Sequence, residues 1–471
     1  MTSFPADAAP AAPRLSLWTK LAYGAGDMGS GMTSNLIAFS FLIFLTDVGG
    51  INPLAAGTVL LIGKVWDAVN DPVVGMLSDR TRSRWGRRYP WIFLSAIPFG
   101  LSFFLMWWVP PGGGPGFRFW YFVLASVLFQ VFFTTANLPY STLTAELTQD
   151  YDERTDLTTF RLAFSVTGAI TALALGLVVS GQVADEQLQY QIIGGLCAVL
   201  SVIPLLICVF GTWPHARRVQ TFNAAQPQPQ AVPDMPFLQQ FQVAFRNRAF
   251  LYVVGIYLFA WLALQITASI IPFYTVFWMG LDSYFLPALL VQGTAIIMMF
   301  VCNVISRRIG KKNLFFLGMG VWLIAQIGLF FLQPGQVWAL YGLCIMASFG
   351  VATAYVVPWA MLPDVIELDE LQTGQRREGV FYAFMTLLQK VGLALGLFLV
   401  GLALEWSGFV SNADIQTDSA LTVIRAFMGP MPMVLLIGGM VLCYFYPVTR
   451  EIHAEVLLKL AERKRNTLKG E

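Results

Sequence analysis

Twelve apolar stretches of roughly 20 residues, the length a helix needs to cross hydrocarbon, occupy most of this 471-residue chain. They lie near residues 21–45, 57–78, 90–109, 119–143, 160–184, 191–211, 249–273, 284–305, 313–332, 338–362, 381–405 and 424–446. Inside a bilayer the backbone must satisfy its own polar groups, which leaves helices and closed barrels as the spanning structures. The expected fold is therefore an all-α membrane protein with twelve transmembrane helices. Composition agrees: 12% of residues are charged, against about 25% in soluble domains.

The stretches divide six and six around a polar segment from Trp213 to Arg248, which holds Pro214, Pro233, Pro236 and the Gln/Pro run Ala225–Gln230. This predicts a disordered tail over 1–16, a six-helix bundle over 17–212, a cytoplasmic linker over 213–248, a second bundle over 249–449 and a cytoplasmic tail over 450–471. The first sixteen residues are rich in Ala and Pro and lack the apolar core of a secretory signal. The halves also repeat. Pro139-Tyr140-Ser141-Thr142-Leu143 closes the fourth stretch and Pro358-Trp359-Ala360-Met361-Leu362 the tenth, each ahead of a charged loop, Glu146 to Arg161 and Asp364 to Glu378. Parallel repeats of this kind enclose a central cavity in a large class of transporters; a chance coincidence of proline and aromatic is the alternative.

Basic residues set the expected orientation. Arg80, Arg82, Arg84, Arg87 and Arg88 follow the second stretch, Arg217, Arg218, Arg246 and Arg248 lie in the central segment, and Arg307, Arg308, Lys311 and Lys312 follow the eighth. Lys459, Arg463, Lys464, Arg465 and Lys469 end the chain, on the same side. Positive charge marks the cytoplasmic face, so both termini are expected inside, in a plasma or inner membrane. The opposite loops hold little besides Arg118, Asp282, Asp414 and Asp418.

The second stretch contains an anomaly: Lys64-Val65-Trp66-Asp67-Ala68-Val69-Asn70-Asp71-Pro72. At 3.6 residues per turn Asp67, Asn70 and Asp71 share one helix face. An acid at the bilayer centre costs about 2.5–3.5 kcal/mol on insertion scales, and two a turn apart repel unless something positive lies between them. Carboxylates, an amide and a hydroxyl suit sodium or lithium, hard cations that take oxygen ligands; the same carboxylates suit a proton. The competing structural reading is a buried pair of Asp67 with Lys64. Lys390 is a lone cation deep in the eleventh stretch and needs an acid across the molecule or an anionic solute; snorkelling to an interface is its alternative. Arg161 is open to gating or to ligand contact. Asp79, Arg80, Arg87 and Arg88 in one half, with Asp364, Glu367, Asp369, Arg376 and Arg377 in the other, read as gating contacts or as plain topology signal. The aromatics Tyr23, Tyr140, Trp261, Tyr355, Trp359 and Tyr382 could stack on a sugar face or simply meet lipid.

Several classes fall away. A net charge of +2 gives no footprint for nucleic acid. The five cysteines stand singly in apolar runs, and neither histidine, His215 or His453, falls inside a predicted span. No GxSxG or HExxH spacing occurs, so an enzyme is not expected.

Gly75-Met76-Leu77-Ser78-Asp79-Arg80, leading to Gly86-Arg87-Arg88, resembles the loop signature of the major facilitator superfamily. Joined to Trp66–Pro72 and to Arg82-Ser83-Arg84-Trp85-Gly86-Arg87-Arg88-Tyr89-Pro90-Trp91, it resembles more narrowly the glycoside–pentoside–hexuronide cation symporters, the melibiose permease-like family, whose vertebrate branch moves lysophosphatidylcholine with sodium. The likeness runs from Tyr23-Gly24-Ala25-Gly26 through Met361-Leu362-Pro363-Asp364 to Lys390-Val391-Gly392. It implies two pseudo-symmetric six-helix bundles and a monomer that suffices for transport. It implies a cation site, for Na+ or H+ with Li+ as a further candidate, at Asp67, Asn70, Asp71 and Thr134. Arg161 and Lys390 match positions near the substrate and cation sites, and Tyr355 and Thr386 positions that line the solute pocket. Where the family grips galactoside hydroxyls with two acids and a tryptophan, this chain has Gly31, Asn137 and Ser141; Asn137 and Tyr140 remain candidate solute contacts. The expected activity is symport of a small polar, sugar-like solute, with a lysolipid or other amphiphile as the alternative. No covalent cofactor is expected.

Overall fold

The computed structural model describes residues 14–148, 150–224, 245, 247–373, 378–411, 413, 415–448 and 450–469. The first-half helices are α1 (Leu17–Ala25), α2 (Met28–Leu36), α3 (Pro53–Arg80), α4 (Tyr89–Met106), α5 (Pro115–Leu147), α6 (Tyr151–Ser180) and α7 (Glu186–Ala224). The second half comprises α8 (Arg248–Phe273), α9 (Phe285–Ile309), α10 (Lys311–Phe331), α11 (Val337–Thr373), α12 (Glu378–Trp406), α13 (Asp418–Met428) and α14 (Pro430–Phe445); α15 (Arg450–Lys469) follows. No strand occurs among the described residues.

Ten spans among the described residues are long and apolar enough to cross a membrane on composition alone. The first and second predicted stretches are the two outside that set, and both depart for a local reason. The first stretch is interrupted: α1 stops at Ala25, α2 begins at Met28, and π-helical turns over Ile37–Phe41 and Phe44–Val48 finish the crossing. The second is α3, whose apolar run contains Lys64, Asp67, Asp71 and Asp79.

The charged segments expected as loops are helical. Glu146 lies in the last turn of α5, Arg161 lies ten residues into α6, and Asp364, Glu367 and Asp369 belong to α11. Likewise Pro139 and Pro358 lie inside α5 and α11 and do not end them. Hydropathy marks where a helix leaves hydrocarbon, whereas hydrogen bonding carries the same helix on into water. The sixth span similarly continues to Ala224, past Trp213. Residues 1–13, 225–244 and 374–377 lie outside the described residues, and with them most of the predicted tail and linker and the gating candidate Arg376.

α3 starts cleanly, because the Asn52 side chain accepts from the Ala55 amide at 2.8 Å and Pro53 occupies the first turn. Its exposed Val65, Val69, Val73 and Met76 form one apolar stripe. The opposite face packs on α5 and α12. Glycine permits that crossing: a Cβ at Gly401 would meet the Pro53 carbonyl oxygen at 2.4 Å, and one at Gly57 the Phe398 backbone at 3.1 Å. At the end away from the arginines the halves also join through Ser180–Ser283 (3.2 Å), Tyr190–Tyr284 (3.0 Å) and Ser411 donating to the Ile51 carbonyl (3.3 Å). At the arginine-bearing end, every ion pair between described residues stays within one half.

Candidate functional site

Asp67 and Asp71 lie fourteen and eighteen residues into the 28-residue α3, in its middle third. Thr134 faces them from α5. Its hydroxyl lies 2.9 Å from Asp67 Oδ1 and 3.2 Å from Asp71 Oδ1, so its single proton can serve only one carboxylate at a time. Lys390 of α12 completes the group across the molecule: its Nζ is 2.5 Å from Asp71 Oδ2 and 3.0 Å from Asp67 Oδ2. Lys64 stands on the other side of Asp67 at 3.7 Å and donates to Gln130 Oε1 at 3.4 Å. Asp67 is wholly buried, whereas the Asp71 side chain is 31% exposed. The structural alternative for Lys64 and the functional reading of Asp67 therefore coexist, since Asp67 meets both ammonium groups.

Asn70 is on the same helix but outside this knot. Its amide points to the Gln130 carbonyl oxygen, 3.5 Å away. Lys390 is set in place by its neighbour, because Trp261 Nε1 of α8 donates to the Gln389 carbonyl at 2.9 Å. A side chain at Gly392 would press on the same indole, with Cβ at 2.6 Å. Trp261 in turn meets Tyr355 edge-on at 5.5 Å and stacks on Tyr257 at 5.7 Å, and Tyr257 meets Trp359 at 5.9 Å. Thr386 is exposed one turn before Lys390 and donates back to the Tyr382 carbonyl at 3.1 Å. Asn137, half-buried, spends an amide proton on the Phe133 carbonyl at 3.1 Å.

Sequence reasoning missed Asp27. The residue is buried in the gap between α1 and α2, and its Oδ2 lies 3.3 Å from Arg161 Nε. An acid inside the first apolar stretch was the available signal. Arg161 also lies over the Tyr140 ring, 5.6 Å from its centroid. Tyr140 itself corrects an expectation: it has no exposed surface, stacks on Tyr23 at 5.0 Å and donates to the Tyr23 carbonyl at 2.7 Å. It supports Arg161 from below and is closed to a solute in this conformation. Gly31, where the family resemblance puts an acid, has no room for any side chain, since a Cβ would stand 1.9 Å from the Ser165 carbonyl oxygen.

The charged groups at the arginine-bearing end form two knots. In the first half Arg88 is buried, pairs with Asp79, donates to Ser78 Oγ at 2.7 Å and lies 3.6 Å from Glu146; Arg87 meets Glu146 at 2.6 Å. Arg80 points to solvent and makes no ion pair with a described residue. In the second half Lys311 lies 2.7 Å from both oxygens of Asp364. There α15 adds His453, whose Nε2 is 2.5 Å from Glu367 and 3.4 Å from Asp364.

Comparison with known proteins places this geometry in context. The profile of the MFS/sugar transport protein family matches residues 22–450. An uncharacterized symporter of Synechocystis is 43% identical over 97% of this chain and 98% of its own. Sodium-dependent lysophosphatidylcholine symporter 1-A of Danio rerio is 28% identical over 93% of this chain and 87% of its own, and a putative glycoside/cation symporter of Escherichia coli is 27% identical over 93% of each. Among solved structures, the inward-open xylose transporter of E. coli superposes with a TM-score of 0.64 at 13% identity, covering 94% of this chain and 98% of that one. The architecture is thus the major facilitator fold in an integral membrane protein, and the chain belongs to the MFS/sugar transport family.

Proposed function

We propose that the protein is a secondary active symporter that couples a monovalent cation at Asp67, Asp71 and Thr134 to a small hydroxylated solute held between the halves. The observation that carries the reading is the Asp67–Asp71–Lys390 cluster, in which one half supplies both acids and the other the only ion-pair partner that crosses between halves among the described residues. A sodium ion or proton entering there replaces the Lys390 ammonium as counter-charge and releases the tie between α3 and α12. Cation and solute then act on one conformational equilibrium, so each raises the affinity of the other by the same factor. The arginine-bearing end is assigned to the cytoplasm. The relatives named as symporters support cation coupling as the mode of transport.

The test is cation-dependent uptake in proteoliposomes. Asp67→Asn or Asp71→Asn should abolish the response to sodium or to a proton gradient while the protein still folds; an unchanged response in either variant defeats the assignment. The aromatic wall of Trp261, Tyr355, Trp359 and Tyr382 favours a second reading, a lysolipid cargo, in keeping with the name of the Danio relative. Competition of uptake by short glycosides against lysophosphatidylcholine separates the two.

A further inference from the structure

The end of α11 and the terminal helix α15 bring three metal-ligating side chains together, apart from the Asp67–Asp71–Lys390 cluster. Asp364 and Glu367 stand three residues apart on α11, which puts them on one helix face. His453 enters from the first turn of α15. One ligand atom from each, two carboxylate oxygens and an imidazole nitrogen, lie within 4.8 Å of one another. His453 Nε2 is 3.4 Å from Asp364 Oδ1 and 2.5 Å from Glu367 Oε2. Around a tetrahedral zinc ion, ligands about 2.0–2.2 Å from the metal stand about 3.3–3.6 Å from each other. The first separation already matches, and a turn of the Glu367 side chain opens the second by the remaining ~1 Å. Asp364 is buried, whereas the Glu367 and His453 side chains are 23% and 25% exposed. The ligands are thus held from inside while an ion can arrive from water.

Lys311 is the competitor for this site, since its ammonium lies 2.7 Å from both Asp364 oxygens. It also donates to the Ala360 carbonyl at 2.8 Å. A carboxylate has about four lone-pair sites, so Asp364 can keep Lys311 and still face a metal. With the imidazole neutral, the two carboxylates and the ammonium leave one net negative charge among these four groups. A proton shared by His453 and Glu367 is one way to meet it; a divalent ion is another and takes that proton's place. One imidazole with two carboxylates is a donor set that favours zinc over magnesium or calcium, with water as the fourth ligand. Val456 and Leu460, three and seven residues beyond His453, are buried, so the face of α15 that carries the imidazole is the face that docks. We propose that Asp364, Glu367 and His453 form a binding site for a zinc-class divalent ion that fastens α15 to the end of α11.

The experiment titrates zinc, and cobalt as its spectroscopic substitute, into untagged, chelator-stripped full-length protein. The wild type should bind zinc stoichiometrically, and excess magnesium should not displace it. Cobalt should show nitrogen and oxygen ligation without a thiolate band, since the five cysteines are buried and none belongs to the site. His453→Ala and Glu367→Gln should each weaken zinc binding about tenfold or more, because even an outer partner of a metal ligand is worth about 10–100-fold in affinity. Amide exchange then locates the ion: zinc should slow exchange in α15 of the wild type and have no such effect in either variant. Thermal unfolding in chelator first shows that each variant keeps its fold, and either variant alone is sufficient for the test. No stoichiometric binding, an adventitious ion held equally by wild type and variants, displacement by magnesium, a thiolate band, or protection outside α15 and the end of α11 overturns the proposal. The readout is metal binding and not transport, so the result is independent of the symport reading.

Discussion

The two halves share an architecture and divide the chemistry. To the polar contacts described above the first half contributes Asp27, Asp67, Asp71, Lys64, Arg161 and Thr134, whereas the second contributes Lys390 beside a cluster of aromatic rings. The same contrast recurs at the arginine-bearing end. There the first half uses a buried arginine that ties two acids and three helices, and the second uses a lysine of α10 and a histidine of α15 against acids of α11. A duplicated bundle can thus become asymmetric without altering its packing, because charge resides in a few side chains while the fold resides in many apolar ones. Under the proposed function the asymmetry serves coupling, since acids on one side and an ammonium on the other would make the bond between halves sensitive to a competing cation.

The largest effect should come from removing the only second-half charge in the cluster. Lys390→Gln leaves Asp67 and Asp71 with Lys64 alone, and breaking a buried pair costs about 3–5 kcal/mol. Thermal unfolding should show that loss, and Asp71→Asn in the same chain should recover part of it. No recovery in the double variant would mean that the halves are not joined by charge. Next, Arg88→Gln should destabilise more than Lys311→Gln, each by about 1–3 kcal/mol for charged hydrogen bonds left unmade, since Asp364 keeps His453 nearby whereas Asp79 and Ser78 lose the buried guanidinium and Glu146 keeps only Arg87. Equal melting shifts for the two variants would erase the proposed difference between the knots. Thr134→Val should cost about 1 kcal/mol and weaken the sodium response without eliminating it, measured as the sodium concentration for half-maximal uptake. The smallest effect is expected from His453→Ala, about 1 kcal/mol or less, seen as faster amide exchange confined to α15; exchange that spreads into α3 would show the ends to be coupled.

Much of this could be read from the chain alone, for identifiable reasons. Apolar length located ten of the twelve expected spans, and the i, i+4 spacing put Asp67 and Asp71 on one face. Lys390 announced its need for a partner because an ammonium in an apolar helix has so few ways to be satisfied. Local pattern does not decide which partner a side chain finds. Asn70 shares the face of the two acids, yet it faces the Gln130 carbonyl, because the neighbouring helix decides which rotamer finds a partner. Tyr140 read as a solute contact and is a buried support, because its hydroxyl is consumed by the Tyr23 carbonyl.

What the sequence determined by itself is where the apolar runs lie and which charges they carry, since hydrophobic length and helical periodicity are local properties of consecutive residues. What only the tertiary structure decided is pairing. Asp27 and Arg161 are 134 residues apart, and Asp71 and Lys390 are 319. Their meeting depends on where glycine lets helices cross, and contact between distant segments is written in three-dimensional packing rather than in any stretch of neighbouring residues.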